Sequence, residues 1–255
     1  MLLKDKKAVI FGLANNKSIA YGIAESFHAH GARLAFSYVG DAIKKRVEPI
    51  CEEFGGDFVF PCDVTSTEQI QAAADTVKEQ WGEIDILVHS VAFANRDDLT
   101  NRFIETSREG FALALDISAY SLVAMCKAFE PLLKPGASVI AMTYYGSQKA
   151  IPHYNVMGVA KAALESSVRY LAVDLGAKDV RVNAISAGPI RTLAASAVGH
   201  FKDRLSYFEE FVPLKRMVSI QDVGGAALYL ASDLSAAVTG EVTYVDCGFN
   251  IKGAS

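Results

Sequence analysis

Tyr154 and Lys161 stand seven residues apart in the run Tyr154-Asn155-Val156-Met157-Gly158-Val159-Ala160-Lys161. Seven residues is close to two turns of α-helix, so the spacing predicts both side chains on one helical face. A phenol remains a hydrogen-bond donor at neutral pH because its ordinary pKa is about 10. Aimed at an oxygen where negative charge develops, such a donor stabilises a transition state more than a ground state. A neighbouring ammonium favours that donation and offers further donors to the hydroxyls of a ribose. A tyrosine and a lysine on one face are common, however, and the surroundings must give the pair its meaning.

Three other segments suit nucleotide binding. Gly12-Leu13-Ala14-Asn15-Asn16-Lys17-Ser18-Ile19 follows an apolar run and leads into a helical pattern. It lacks GxGxxG, but it has a glycine at the turn and a hydroxyl at the helix start. The N–H groups and positive dipole end at Ile19 suit a pyrophosphate, and Ser18 either adds a donor or simply caps the helix. Asp63, after another apolar run, either accepts from an adenine amino group, with Val64 beside the ring, or serves as a turn residue. His89-Ser90-Val91-Ala92-Phe93-Ala94 is a mostly small stretch where backbone at Ser90 and Val91 can approach a flat cofactor. His89 itself reads as a structural hydrogen-bonder.

These segments require a scaffold that gathers them. Strand-length apolar runs occur at Lys7–Phe11, Arg33–Tyr38, Asp57–Phe60, Ile84–His89, Ser138–Tyr144, Val180–Ser186 and Glu241–Asp246. They are mostly continuous and not alternating, which is the signature of parallel strands covered on both faces. Helical stretches lie between them. Ile19, Ile23 and Phe27 form one apolar face, ended by Gly31. Thr65 with Glu68 predicts a capping box, ahead of Ile70, Ala73, Val77 and Trp81 on one face. Repeated β-α-β units with right-handed crossovers predict an α/β, doubly wound Rossmann fold: a seven-stranded parallel sheet with helices on both faces. Neither a repeat nor a Pro/Gly/Ser linker interrupts the chain, and residues 1–255 read as one domain. In such sheets ligands bind at the carboxyl ends of the strands, beside the topological switch point.

Composition narrows the function classes. The chain has 255 residues, 51% hydrophobic and 21% charged, with a net charge of −4, which offers no electrostatic footprint for nucleic acid. The one dense basic run, Lys44-Lys45-Arg46, reads as a solvated helix face. Cys51, Cys62, Cys126 and Cys247 form no CxxC pair and read as reduced, buried thiols. The N-terminal apolar stretch, Ala8 to Leu13, is strand length and neither a signal-peptide core nor a membrane span. His28, His30, His89, His153 and His200 show no ligand spacing, so no metal is expected. A cytoplasmic protein is the expectation.

The pattern Tyr-x-x-Met-x-x-x-Lys, here Tyr154, Met157 and Lys161, resembles the divergent branch of the short-chain dehydrogenase/reductases. The resemblance narrows on Gly12-x5-Ser18-Ile19-Ala20, His89-Ser90 with Phe93-Ala94, Arg108-Glu109-Gly110-Phe111, and Ser186-Ala187-Gly188-Pro189-Ile190-Arg191-Thr192-Leu193-Ala194. Together these segments are similar to the bacterial NADH-type enoyl-(acyl-carrier-protein) reductases, from about residue 3 to Asn250. The resemblance implies reduction of a trans-2-enoyl thioester by NADH, on acyl carrier protein, in a homotetramer. It implies that Tyr154 hydrogen-bonds the thioester oxygen, that Lys161 holds the nicotinamide ribose, and that Tyr144 is a second active-site tyrosine. Tyr145 is not expected to be catalytic. Ala94 matches a substrate-contacting backbone position. Ile190, Arg191, Thr192, Leu193 and Ala194 match the segment that anchors the carboxamide and phosphates, and residues 191–211 match a mobile substrate lid.

One position departs from the pattern. Val39 falls where the family places a residue beside the adenine ribose, followed by Gly40 and Asp41. No arginine at 39 holds a 2′-phosphate, which favours NADH; no carboxylate at 39 binds the 2′-hydroxyl either. Lys44 and Lys45 keep NADPH as the less favoured cofactor. Two other readings compete. A ketone- or alcohol-directed short-chain reductase wants a serine about a dozen residues before Tyr154, where Ala141, Met142 and Thr143 stand. A non-catalytic dinucleotide sensor predicts loss of Tyr154 or Lys161, and both are present.

Overall fold

The computed structural model describes residues 1–190 and 208–252. Its centre is a sheet of seven parallel strands: β1 (Lys7–Phe11), β2 (Arg33–Tyr38), β3 (Phe58–Pro61), β4 (Ile84–His89), β5 (Leu133–Thr143), β6 (Arg181–Ala187) and β7 (Val242–Val245). The order is β3-β2-β1-β4-β5-β6-β7, so the winding reverses between β1 and β4. Alternate residues of each strand feed two separate cores. Val9, Phe11, Leu87, Val139 and Val182 face one side. Ala8, Ile10, Val88, Ile140 and Ile185 face the other.

Among the described residues, three long helices line each face. On the first lie α3 (Thr67–Trp81), α6 (Ser121–Phe129) and α7 (Val156–Gly176). On the second lie α1 (Ile19–Ala29), α2 (Gly40–Glu53) and α8 (Ile220–Ala231). Glycines set the distance between α1 and α8. A Cβ on Gly22 would stand 2.3 Å from the Ile220 carbonyl oxygen, and one on Gly224 would stand 2.3 Å from that of Gly22. Gly31, with φ +86°, follows the C-cap His30 of α1 in the left-handed conformation that ends helices.

Four details differ from the sequence-based expectation. The cap of α3 is Ser66, whose hydroxyl accepts from the Gln69 N–H at 3.2 Å, while Thr65 turns back to Asp63. The third strand is shifted by one residue relative to Asp57–Phe60. The fifth begins at Leu133, five residues before Ser138, because β5 passes Pro135-Gly136 with a register irregularity against β4 instead of turning there. The sixth and seventh, expected at Val180–Ser186 and Glu241–Asp246, run Arg181–Ala187 and Val242–Val245.

Between α5 (Arg108–Leu115) and α6 the chain makes a π-helical segment, Asp116–Tyr120. The run Arg108–Leu132 is long and apolar enough to cross a membrane by length and composition, its 18-residue apolar window having a mean hydropathy of 1.4. Here it packs against α3 and α7, burying Ala114, Leu122, Met125 and Phe129.

Candidate active site

Because all seven strands are parallel, their carboxyl ends lie along one edge of the sheet, and the chemically suggestive segments start from those ends. The Gly12 loop follows β1, Val39 follows β2, Asp63 follows β3, Ser90 follows β4, Tyr144 follows β5 and Ile190 follows β6. Gly12 and Ser90 meet across the β1–β4 switch point. Gly12 has φ +94°, and a Cβ there would stand 2.1 Å from the Ser90 carbonyl oxygen, so only glycine fits.

The loop that follows is organised by its own serine. Ser18 Oγ accepts from the N–H groups of Ala14 and Asn15, each at 3.1 Å. It makes no capping bond to α1, so of the two readings of Ser18 the simple cap is the one set aside. The first turn of α1 therefore has neither a side-chain cap nor an acidic residue to offset its dipole. Uncapped N–H groups, a positive helix end and a Cβ-free approach fit a pyrophosphate. A cavity of about 260 Å³ lies beside this loop, lined by Asn16, Lys17, Ile190, Met217, Val218 and Ile220.

At the adenine side, Asp63 Oδ1 accepts from the Thr65 N–H at 2.9 Å and its hydroxyl at 2.7 Å, so this carboxylate builds its own turn. Val64 is half-buried against the first core. Val39 is 53% exposed at the start of α2. Lys44 folds back over the Tyr38 ring, 5.8 Å from its centroid, and pairs with Glu48 at 3.5 Å.

The stretch after β4 is held from beneath by the π segment. Ser118 Oγ accepts from the Phe93 N–H at 3.0 Å and lies 3.1 Å from the Phe93 carbonyl and 3.6 Å from Met157 Sδ. Ser121 Oγ, three residues on, donates to the Ile117 carbonyl at 2.6 Å and is hydrogen-bonded to His89 Nε2 at 2.7 Å. His89 is fully buried, and burial, aided by the Lys161 charge, pushes its pKa down to about 3. It is a neutral structural ring. Three residues apart, the two serines share the face turned towards the end of β4. Sequence reading missed Ser118 and Ser121, whose signal is a pair of hydroxyls on an otherwise apolar helix. Beyond Phe93, half-buried Ala94 leads to a cavity of about 420 Å³ lined by Asn95, Arg96, Asp98, Asn101 and Ser107, among others.

Tyr154 is not on a helical face shared with Lys161. It lies in a turn ahead of α7, between His153 (φ +59°) and Asn155 (φ +41°). The Asn155 amide holds that turn by donating to the carbonyls of Asp98 (3.2 Å), Leu99 (3.3 Å) and Asn101 (2.7 Å). The Tyr154 ring meets Tyr144 edge to face at 4.8 Å. Gly146 makes room: a Cβ there would stand 2.4 Å from Tyr154 Cδ1. Tyr145 points away and packs on Tyr244 and Phe249. Burial raises the Tyr154 pKa, with Tyr144 and Glu165 adding to the rise, so the phenol keeps its proton.

Lys161 does sit on α7, 4% exposed, and its Nζ donates to the Met142 carbonyl at 2.7 Å. Burial pushes its pKa down to about 8, opposed by Glu165. Thr143, in the region where an alcohol-directed reductase would want its serine, is buried and donates to Glu165 Oε1 at 2.7 Å. Ile190 is buried beside the second core; Arg191, Thr192, Leu193 and Ala194, with the lid to residue 207, lie outside the described residues. Among the described residues no group of His, Cys, Asp and Glu is placed to hold a metal ion. The four cysteines are free and buried.

Comparison with known proteins adds a family. Residues 12–250 match the family model described as enoyl-(acyl carrier protein) reductase. A Rhizobium meliloti protein named enoyl-(acyl-carrier-protein) reductase (NADH) 1 is 53% identical over 99% of this chain and 93% of its own length. The crystal structure of the NADH enzyme of that name from Aquifex aeolicus superposes with a TM-score of 0.98 at 47% identity, covering 100% of both chains. The Bacillus cereus enoyl-acyl carrier protein reductase, solved with NADP+ and an indole naphthyridinone, gives a TM-score of 0.97 at 47% identity over 99% of both chains.

Proposed function

The chain belongs to the enoyl-(acyl-carrier-protein) reductase family, and from that premise we propose that it reduces the trans-2 double bond of enoyl chains carried on acyl carrier protein, using NADH. This is the reductive step of bacterial type II fatty acid elongation. NADH, when bound, supplies the hydride. The observation that carries the reading is the tyrosine pair: Tyr144 and Tyr154 in edge contact at the carboxyl end of β5, with Lys161 buried behind them on α7.

Each residue has a distinct task in this scheme. Tyr154 donates its O–H to the thioester oxygen as enolate charge grows there, and it can do so because burial keeps the phenol protonated. Tyr144 braces that ring and borders the acyl chain. Lys161 donates to the ribose hydroxyls of the cofactor, which also fixes the cofactor against the substrate. Gly12, Ser18 and Ile19 bring the loop and helix end to the pyrophosphate. Asp63 and Val64 border the adenine, Ser90 and Val91 the nicotinamide half, and Val39 the adenine ribose. Ile190, Arg191, Thr192, Leu193 and Ala194 hold the carboxamide and phosphates. Ala94 offers backbone to the substrate.

The remaining parts of the proposal concern organisation. Residues 1–255 form one Rossmann-type domain with a substrate lid at about 191–211, and lid closure excludes water from the reacting atoms. The protein works in the cytoplasm as a homotetramer. Exposed apolar side chains on the long helices, Tyr120 (57%), Tyr170 (74%) and Val173 (78%), support a covered face there. The test is the loss of reduced-nicotinamide absorbance with crotonyl thioester, run in parallel with NADH and NADPH. Turnover with NADH is expected; a protein inert to crotonyl and longer enoyl thioesters with either cofactor overturns the assignment.

A further inference from the structure

Two consecutive residues of β5 grip two consecutive turns of α7. The Met142 carbonyl takes the Lys161 ammonium at 2.7 Å, and the Thr143 hydroxyl donates to Glu165 Oε1 at 2.7 Å. All three side chains are buried: Lys161 is 4% exposed, Glu165 6% and Thr143 4%. Lys161 and Glu165 stand four residues apart, neighbours on one helical face. A carboxylate taken out of water is costly unless something compensates it. No part of the reaction scheme above uses Glu165, yet it stands buried beside that scheme's lysine.

We propose that Glu165 is a positioning residue for the reaction: its buried carboxylate, held by Thr143, keeps Lys161 charged and directed at the cofactor ribose. The inference rests on the reading of Lys161 as the ribose-binding residue. The carboxylate acts through space, since among the described residues no carboxylate oxygen is within ion-pair reach of Lys161 Nζ. Field effects across a dry interior are stronger than in water. The other polar groups around the Lys161–Glu165 pair do not substitute for it. From β4, His89 is neutral and its ring is tied to Ser121. From the turn before α7, Tyr154 is a protonated phenol, as is Tyr244 on β7. From β6, Ser186 is buried opposite Thr143 and carries no charge. Glu165 is thus the anion of the cluster. It holds the lysine pKa, already lowered to about 8 by burial, from falling further into the working range.

The experiment measures NADH affinity by calorimetry across neutral to alkaline pH for wild type, Glu165→Gln, Thr143→Val and Lys161→Ala. The 15N resonance of Lys161 is titrated in the same proteins that keep it. Glu165→Gln retains an acceptor for Thr143 and removes only the charge. It is expected to move the alkaline loss of affinity, and the Lys161 titration with it, down by roughly one pH unit. Thr143→Val leaves the carboxylate without its donor and is expected to move both in the same direction by less. It serves as the second probe should Glu165→Gln not fold. Limbs unmoved in both folded variants, with only thermal stability reduced, overturn the proposal and leave Glu165 a packing residue. A Lys161 titration that moves while Lys161→Ala binds NADH normally overturns the ribose role instead, and leaves the coupling between the two side chains standing.

Discussion

Tyr154 and Lys161 carry charges or protons that their burial has already adjusted, and their predicted effects separate cleanly. Tyr154→Phe removes a donor that matters most when the thioester oxygen becomes an enolate. It is expected to lower kcat at least tenfold, about 1.4 kcal/mol, while NADH affinity stays near wild type. Single-turnover kinetics with carrier-bound substrate check this; near-normal turnover would remove Tyr154 from its role. Lys161→Ala is expected to weaken NADH binding by roughly 1.5–3 kcal/mol, the value of hydrogen bonds from a charged donor. The pH dependence follows from the direction of the shift. A lysine whose pKa is lowered to about 8 is charged below that value and loses its charge as pH rises through it. NADH affinity in the wild type is therefore expected to decline above about pH 8, and calorimetry on Lys161→Ala should show no such limb.

Elements place those residues, and their tips and contacts decide selectivity and stability. At the tip of β2, Val39 offers no charge to a 2′-phosphate, and Lys44 is engaged with Tyr38 and Glu48. Phosphate dianions need paired positive charge when desolvated. The expected kcat/KM is therefore at least roughly tenfold higher with NADH than with NADPH. Val39→Arg should narrow or reverse that ratio by supplying a fork of donors; parity of the two cofactors in the wild type would point to the lysines instead. At the α1–α8 contact two effects oppose each other in Gly22→Ala. Helix propensity gains up to about 1 kcal/mol, while overpacking costs about 1–3 kcal/mol. The clash is with backbone, at 2.3 Å from the Ile220 oxygen, and no rotamer relieves it. Net destabilisation of about 1–2 kcal/mol is expected from urea unfolding, and a more stable variant would contradict this reading of the contact.

At the scale of the whole molecule, the exposed apolar residues of the two long helices are the feature that a lone protomer leaves unexplained. Tyr170 and Val173 on α7 are 74% and 78% exposed. If copies meet through this face, an acidic side chain there costs its desolvation in every interface it enters. If the proposed tetramer forms through this face, Val173→Asp is expected to shift light-scattering mass from four copies towards fewer, with the protomer still folded by circular dichroism. An unchanged mass would place the contact on another face. The same helices carry the site, since α7 holds Lys161 and the Arg108–Leu132 run supports the stretch after β4 through Ser118.

Much of the scaffold was legible locally. β1, β2 and β4 match the sequence-based bounds to the residue, because strands covered on both faces must be continuous apolar runs and their edges show as a change to polar residues. The chemical types were legible too: a glycine before a helix, a tyrosine and a lysine after the fifth strand. What spacing did not show is how long-range contacts aim those residues. Tyr154 leaves the helical face because Asn155 adopts φ +41° and ties its amide to carbonyls more than fifty residues earlier. Ser18 turns back to its own loop, because Ala14 and Asn15 lie close enough to donate to it once the turn forms. Glu165 acquires its meaning only when β5 brings Thr143 against α7. Sequence determined which groups were present and which strand ends bore them; the tertiary structure decided what each one touches, because hydrogen bonds and buried charges are settled by neighbours distant in the chain.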